Sequence, residues 1–256
     1  MKSNNGNSVD SWWKALARRS FELAGYRVTR LRPANRFQAM DEALLLLRGF
    51  GFDPRVVIDA GANVGTWTRM CRTIFPDATY HLIEPQPGYV EELQRAMRTV
   101  SQVEVHGVAL TEPGIRSVRM CGAGSTGAWV ARIHEHSPDE IICPATTLDE
   151  LLAHRVSAED RPLLKLDLEC HEIEALKGAS RLLKAVEVAL TEVHFFDINE
   201  TGRPTFTDVL EFFKEREFEI YDIACLSQRP RDMRLRMGDV IFVRNDSQLL
   251  ADRSWE

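Results

Sequence analysis

From residue 54 onward the chain alternates short apolar runs with segments of helical spacing. The run Val56–Ala60 places three β-branched residues together and predicts a strand. It enters the turn Asp59-Ala60-Gly61-Ala62-Asn63-Val64-Gly65, and residues 66–75 predict a helix after it. Further strands are predicted at 79–83, 103–108, 163–168 and 186–193, with helices at 89–100, 171–184 and 206–216 and another starting at Thr147. In that last helix, Thr146 or Thr147 is the N-cap, and Asp149 and Glu150 fill the first turn. Residues 109–146 hold only short alternating pieces and read as a β insertion or meander. The final strands, 218–223 and 239–244, have no helix between them and predict an antiparallel hairpin with a long loop.

Strands that alternate with helices imply a parallel sheet joined by right-handed crossovers. Three regions follow: a helical N-terminal extension (1–53), a main α/β domain (54–245) and a polar tail (246–256). Residues 1–8 are polar and read as unstructured. Residues 9–25 carry Trp12, Trp13, Leu16, Phe21 and Leu23 among basic residues, an amphipathic helix. It suits a lid, a dimer arm or a helix packed across the main domain. A second helix spans 36–50, and Gly49, Gly51 and Pro54 end it.

Composition narrows the classes. Hydrophobic residues make up 44% and charged residues 27% of the 256, ordinary for a globular protein. A net charge of −6 disfavours nucleic acid as the main partner. The five cysteines, Cys71, Cys121, Cys143, Cys170 and Cys225, are widely spaced, which fits reduced thiols in a cytoplasmic protein rather than disulfides or a zinc site. Residues 1–10 hold no apolar stretch of signal-peptide length, and no run is long enough to span a membrane.

The strand–glycine turn–helix unit predicts a nucleotide-type ligand at the helix N-terminus. Dinucleotide folds use Gly-x-Gly-x-x-Gly, whereas here the glycines of the turn are Gly61 and Gly65. A ligand with a carboxylate and a ribose but no phosphate fits this register better, and S-adenosylmethionine has both. Glu84 ends the second strand roughly 20 residues after the turn, where an acid accepts hydrogen bonds from ribose hydroxyls.

The segments 57–65, Ile83-Glu84-Pro85, Thr147-Leu148-Asp149, Lys165-Leu166-Asp167-Leu168-Glu169 and Glu174-Ala175-Leu176-Lys177-Gly178-Ala179 resemble the FkbM family of S-adenosylmethionine-dependent methyltransferases. The resemblance runs from about Val56 to Val243. It implies a class I methyltransferase (Rossmann-like) fold: a seven-stranded, mostly parallel sheet with a terminal antiparallel hairpin strand. It also implies O-methylation of sugar or natural-product hydroxyls. The implied cofactor residues are Asp59, Gly61, Ala62, Asn63, Gly65 and Thr66 around the methionine part, Glu84 and Pro85 at the ribose, and Val108 and Ala109 near the adenine. One departure stands out. The family pattern after the fourth strand is Asp-x-Glu-Gly and a small residue, where this chain has Asp167-Leu168-Glu169-Cys170-His171.

Ligands of open α/β sheets lie beyond the carboxyl ends of the strands. Asp167 and Glu169 end the fourth strand there, and Glu192 and His194 the fifth. His194 is the first candidate for the base that takes a hydroxyl proton, oriented by Glu192 or Asp167, and His171 is the second. Asp167 alternatively holds the cofactor's amino group. Asp167, Glu192 and His194 could also ligate a cation, but nothing in their spacing demands one, so no metal is expected. Residues 122–127 form either a loop over the site or a plain hairpin turn. Arg229, Arg231, Arg234 and Arg236 in 225–237 either meet an acceptor phosphate or cover a solvated loop. The expected protein is an O-methyltransferase of a saccharide, natural product or related small molecule, and a homodimer is possible. The rivals are a nicotinamide-dependent oxidoreductase and an inactive cofactor-binding interaction protein.

Overall fold

Seven strands, the central ones buried on both faces, organise the chain. A computed structural model describes residues 36–132, 134–197 and 201–254. The chain divides into two compact units, Met1–Gln38 and Ala39–Glu256. The predicted helix at 9–25 lies outside the described residues.

In chain order the main sheet contains β1 (Val56–Ala60), β2 (Thr79–Ile83), β3 (Val103–His106), β8 (Leu163–Leu166), β9 (Val188–His194), β10 (Phe218–Gln228) and β11 (Leu235–Arg244). The spatial order is β10-β11-β9-β8-β1-β2-β3. The pairs β1–β2, β2–β3, β1–β8 and β8–β9 are parallel, whereas β11 runs antiparallel to β9 and β10. Side chains alternate between two apolar layers, as the two-residue period of a strand requires. Val57, Leu82, Leu163, Leu190 and Ile241 enter one layer, and Ile58, Ile83, Leu164, Ala189 and Val240 the other.

The first layer is closed by α1 (Arg36–Gly49), α2 (Thr66–Ile74) and α3 (Pro87–Met97). The second is closed by α4 (Leu148–Leu152), α5 (Glu172–Lys177) and α6 (Phe206–Lys214). In α2, Trp67, Cys71 and Ile74 fall on one buried face, the spacing that puts an amphipathic helix on a sheet. From Ala39 on, α1 belongs to the compact unit of the sheet, because Met40, Ala43, Leu44 and Leu47 sit in its core.

Residues 109–146 form a second sheet of four strands: β4 (Ala109–Leu110), β5 (Ser117–Cys121), β6 (Trp129–Val130) and β7 (Ile141–Thr146), ordered β4-β7-β5-β6. At the outer edge of the main sheet, His81, Glu104 and His106 share one face, since His81 pairs with Glu104 and Ile83 with His106. Burial pushes the His81 imidazole down to about 4 and lowers that of His106, so both rings are neutral at pH 7.

Two expected elements differ. The helix predicted over 171–184 is α5 followed by a separate 3₁₀ turn at Leu182–Lys184. The break falls at Gly178, where a Cβ would lie 2.3 Å from the Thr111 carbonyl oxygen. Beyond it, the Asp149 carboxylate accepts from the amides of Arg181 and Leu182 (3.0 and 2.8 Å to Oδ1) and so takes donors a continuous helix would use. The terminal hairpin is longer than expected and its loop shorter, spanning residues 229–234. Arg229 pairs with Asp232 inside that loop, and the Arg229 and Arg234 guanidinium groups lie 5.4 and 3.9 Å from the centre of the Phe196 ring. These two arginines are therefore part of the hairpin's own packing. No helix among the described residues is long and apolar enough to cross a membrane.

Gly61 shows how tightly the turn is built. Its φ is +79°, and a Cβ there would fall 2.0 Å from the Asp167 carbonyl oxygen. Gly61→Ala is expected to lower unfolding free energy by at least about 2 kcal/mol, from left-handed strain plus a backbone clash, read from the denaturant midpoint.

Candidate functional site

The glycine turn leaves β1 at Asp59, which is fully buried. Its Oδ2 accepts a 2.5 Å hydrogen bond from Thr68 Oγ1 of α2, and its Oδ1 lies 3.0 Å from Lys165 Nζ. Lys165 also donates to the Gly61 carbonyl oxygen at 3.0 Å and stands 3.9 Å from Asp167 Oδ2. The Asp59 carboxylate thus faces Thr68 and Lys165 beneath the turn. It fixes the turn from below.

Glu84 ends β2 with 4% of its surface exposed. Its Oε2 accepts from Asn63 N at 3.0 Å and its Oε1 from Gln86 N at 2.9 Å. The carboxylate thus clips the glycine turn to the start of α3. Burial raises its proton affinity, and the two amides and the Lys165 charge oppose that rise. Each oxygen keeps a lone pair for a further donor.

Asn63 holds the turn with φ +48° and takes the Val64 amide onto its own Oδ1 at 2.8 Å. Gly65, at φ +78°, is the N-cap of α2 and leaves no room for a Cβ, which would meet Leu93 and Met97 of α3 at 2.8 and 2.9 Å. No side chain caps α2, so its first amides, from Thr66 on, offer donors and the positive dipole end to a carboxylate. Ala62 is buried and its amide donates to Ile83 O at 3.0 Å; Pro85 is half-buried. Val108 packs on the core beside buried Ala109, where the chain passes from β3 to β4.

Strand register brings further polar groups to the same end of the sheet. Asp59 pairs with Lys165 across β1 and β8, and Leu166 pairs with Thr191 across β8 and β9. Asp167 therefore stands level with Glu192, and Glu192 pairs directly with Asp239 of β11. Glu192 and Asp239 are buried. His194 Nε2 lies 3.4 Å from Glu192 Oε1, with 13% of the histidine side chain exposed. The structure brings Glu192 and His194 together, and Asp167 Oδ2 faces Lys165.

Three residues of this region escaped the sequence reading. Lys165 sits inside an apolar strand pattern, Asp239 becomes significant only by cross-strand pairing, and Glu172 is the first residue of α5. Glu172 accepts from Leu168 N at 2.7 Å, and complete burial, aided by the Glu192 charge, raises its carboxyl to about 8. An acid in the first turn of a helix was the only available signal. His171 precedes it, with Nδ1 3.7 Å from Glu174 Oε2. Its Nε2 is buried without a hydrogen-bond partner among the described residues, and burial lowers its proton affinity.

The Cys170 departure has a backbone cost. Glu169 and Cys170 are consecutive left-handed residues, with φ +53° and +69°. A glycine tolerates that conformation, whereas a cysteine strains in it. Loop 122–127 closes the rim on the other side. Gln86 accepts from Gly124 N at 2.8 Å and donates to Ser125 O at 3.2 Å, and Tyr89 donates its hydroxyl to Gly124 O at 2.9 Å. A Cβ on Gly127 would lie 3.7 Å from Glu169 Oε1, so the loop reaches from the turn after β2 to the turn after β8.

Sheet order and glycine turn together define a class I methyltransferase fold. The family model described as the methyltransferase FkbM domain matches residues 59–220, and the chain belongs to that family. S-adenosyl-L-methionine is the cofactor this membership leads one to expect. A relative called Methyltransferase 1, from Beauveria bassiana, is 26% identical over 174 residues, covering 66% of this chain and 63% of that protein. Hexuronic acid methyltransferase AglP of Haloferax volcanii is 27% identical over 143 residues, covering 54% and 56%. The chain thus spans about three fifths of the length of these curated relatives. Among solved structures, the 1,6-didemethyltoxoflavin-N1-methyltransferase of Burkholderia thailandensis, with 1,6-didemethyltoxoflavin and S-adenosylhomocysteine bound, aligns at 15% identity. Its TM-score is 0.46, and the match covers 96% of this chain and 94% of that one.

Two outcomes are expected here. Because the folded pKa of Glu172 lies above its unfolded value, its protonated form favours folding, and that advantage is lost as pH rises from about 4.5 through about 8. Denaturant unfolding of Glu172→Gln should therefore gain on the wild type by at least about 1 kcal/mol between pH 5 and pH 8.5. Cys170→Gly should raise the unfolding midpoint, by about 0.5–1 kcal/mol, through relief of left-handed strain.

Proposed function

We propose that this chain transfers a methyl group from S-adenosyl-L-methionine to a hydroxyl of a saccharide or related small molecule. The observation that carries the reading is the juxtaposition of two half-sites at one end of the sheet. One comprises the uncapped α2 amides and the buried Glu84 acceptor, and the other the Glu192–His194 pair.

The residues present suit the cofactor's chemistry. Its carboxylate matches the α2 amides, its ribose hydroxyls match the remaining lone pairs of Glu84, and its ammonium matches the partly exposed Asp167 carboxylate. When bound, it supplies a sulfonium methyl with a good leaving group. His194 then serves as the base: Glu192 accepts the Nε2 proton and orients the ring, and Nδ1 accepts the acceptor's hydroxyl proton to give an imidazolium that Glu192 stabilises. Loop 122–127 and the Cys170 side chain bound the acceptor space and keep water out. The 27% identity to a hexuronic acid methyltransferase supports a sugar-acid acceptor.

Titration calorimetry with S-adenosylmethionine tests the first half. One binding site per chain is expected, and Glu84→Gln should weaken it by about tenfold or more. Methyl transfer to a panel of hexuronic acid saccharides tests the second. His194→Asn should lower kcat by about 10²–10⁴ with cofactor affinity unchanged. Absence of S-adenosylmethionine binding would overturn the reading, and full kcat in His194→Asn would remove His194 as the base.

A further inference from the structure

We propose that His81, Glu104 and His106 form a binding site for a divalent transition metal of the zinc class at the β2–β3 edge of the sheet. Their ligand-capable atoms all lie within 4.8 Å of one another. His81 Nδ1 is 3.3 Å from His106 Nε2 and 3.5 Å from Glu104 Oε2, and His106 Nε2 is 3.9 Å from Glu104 Oε1. A tetrahedral ion with bonds of about 2.0–2.1 Å sets its ligands about 3.3–3.5 Å apart, which two of these edges already meet. The 3.5 and 3.9 Å contacts use different oxygens of Glu104, and a rotation of that side chain, which is 43% exposed, brings one oxygen level with both rings.

The donor set selects the metal. Two imidazole nitrogens and one carboxylate suit zinc and its neighbours, whereas magnesium and calcium take oxygen ligands. Three protein ligands leave a fourth position for water. Arg155 supplies the outer support. Its Nη1 and Nη2 donate to Glu104 Oε1 and Oε2 at 3.0 and 2.6 Å, which takes one lone pair from each oxygen and leaves the others for the rings' side. The scaffold is rigid because the ligands come from two paired strands, with His81 and His106 side chains only 3% and 10% exposed. The Glu84 amide donates to the His106 carbonyl oxygen at 3.1 Å, so a metal here would fasten β3 to β2 at the root of the Glu84 turn.

The inference does not depend on the methyl-transfer reading and is tested without cofactor. Chelator-treated full-length protein is dialysed and titrated with zinc chloride by calorimetry, and its thermal unfolding is followed. One zinc per chain and a raised unfolding temperature are expected. His106→Gln should weaken binding at least tenfold while the circular dichroism spectrum is kept. X-ray absorption on the zinc-loaded wild type gives a second readout that needs no variant; a first shell with two imidazoles and only oxygen besides is expected. Failure to bind one zinc, a sulfur ligand in the first shell, or undiminished affinity in a folded His106→Gln would each overturn the assignment.

Discussion

The pairing of Asp59 with Lys165 is the constraint on which the site rests. Both groups are buried, on neighbouring strands, at the point where the chain must leave the sheet. A charge in such a place is tolerated only when another answers it, and removal of either partner strands the other at a cost of about 3–5 kcal/mol. The ammonium does more than neutralise. By holding the Gly61 carbonyl it sets the direction of the turn, and Gly61 in turn presses against the Asp167 backbone. The turn after β1 and the turn after β8 are thereby fixed to each other through one lysine and one glycine.

Around the end of β9, charge is arranged by burial. Glu192 faces Asp239 across the strand pair, with Glu172 close enough for its proton affinity to feel Glu192. Three acids sharing a water-poor region cannot all ionise at ordinary cost. Complete burial drives the rise of Glu172 to about 8, and the nearby Glu192 charge adds to it. Glu172 therefore stays largely protonated at neutral pH beside the Glu192–His194 pair.

Much of this was legible in the chain itself. Strands buried on both faces read as continuous apolar runs, and the hairpin of the last two strands followed from the lack of a helix between them. The glycine turn, Glu84, and the Glu192–His194 pair stood at strand ends, where spacing alone places them. What escaped depends on contacts between distant segments. Lys165 looks like an irregularity in an apolar strand until Asp59 is beside it. The break after α5 depends on a carboxylate contributed by Asp149, and Asp239 gains meaning only opposite Glu192. The cohesion of α1 with the sheet unit rests on long-range burial of Met40 and Leu44, which helical periodicity does not report. The strain at Cys170 was visible as an unusual residue, but its left-handed backbone was not.

The docking of loop 122–127 on Gln86 and Tyr89 has a strength that can be bounded. Three hydrogen bonds hold Gly124 and Ser125 to the rim. At about 1 kcal/mol each, their loss costs about 3 kcal/mol, which leaves roughly one molecule in a hundred open at any instant. Loop motions of this size run on the nanosecond-to-microsecond scale, so even that minority exchanges far faster than a typical turnover of about 10 per second. A ligand that had to pass this loop would thus give up at most about a hundredfold in apparent affinity, with opening itself remaining fast.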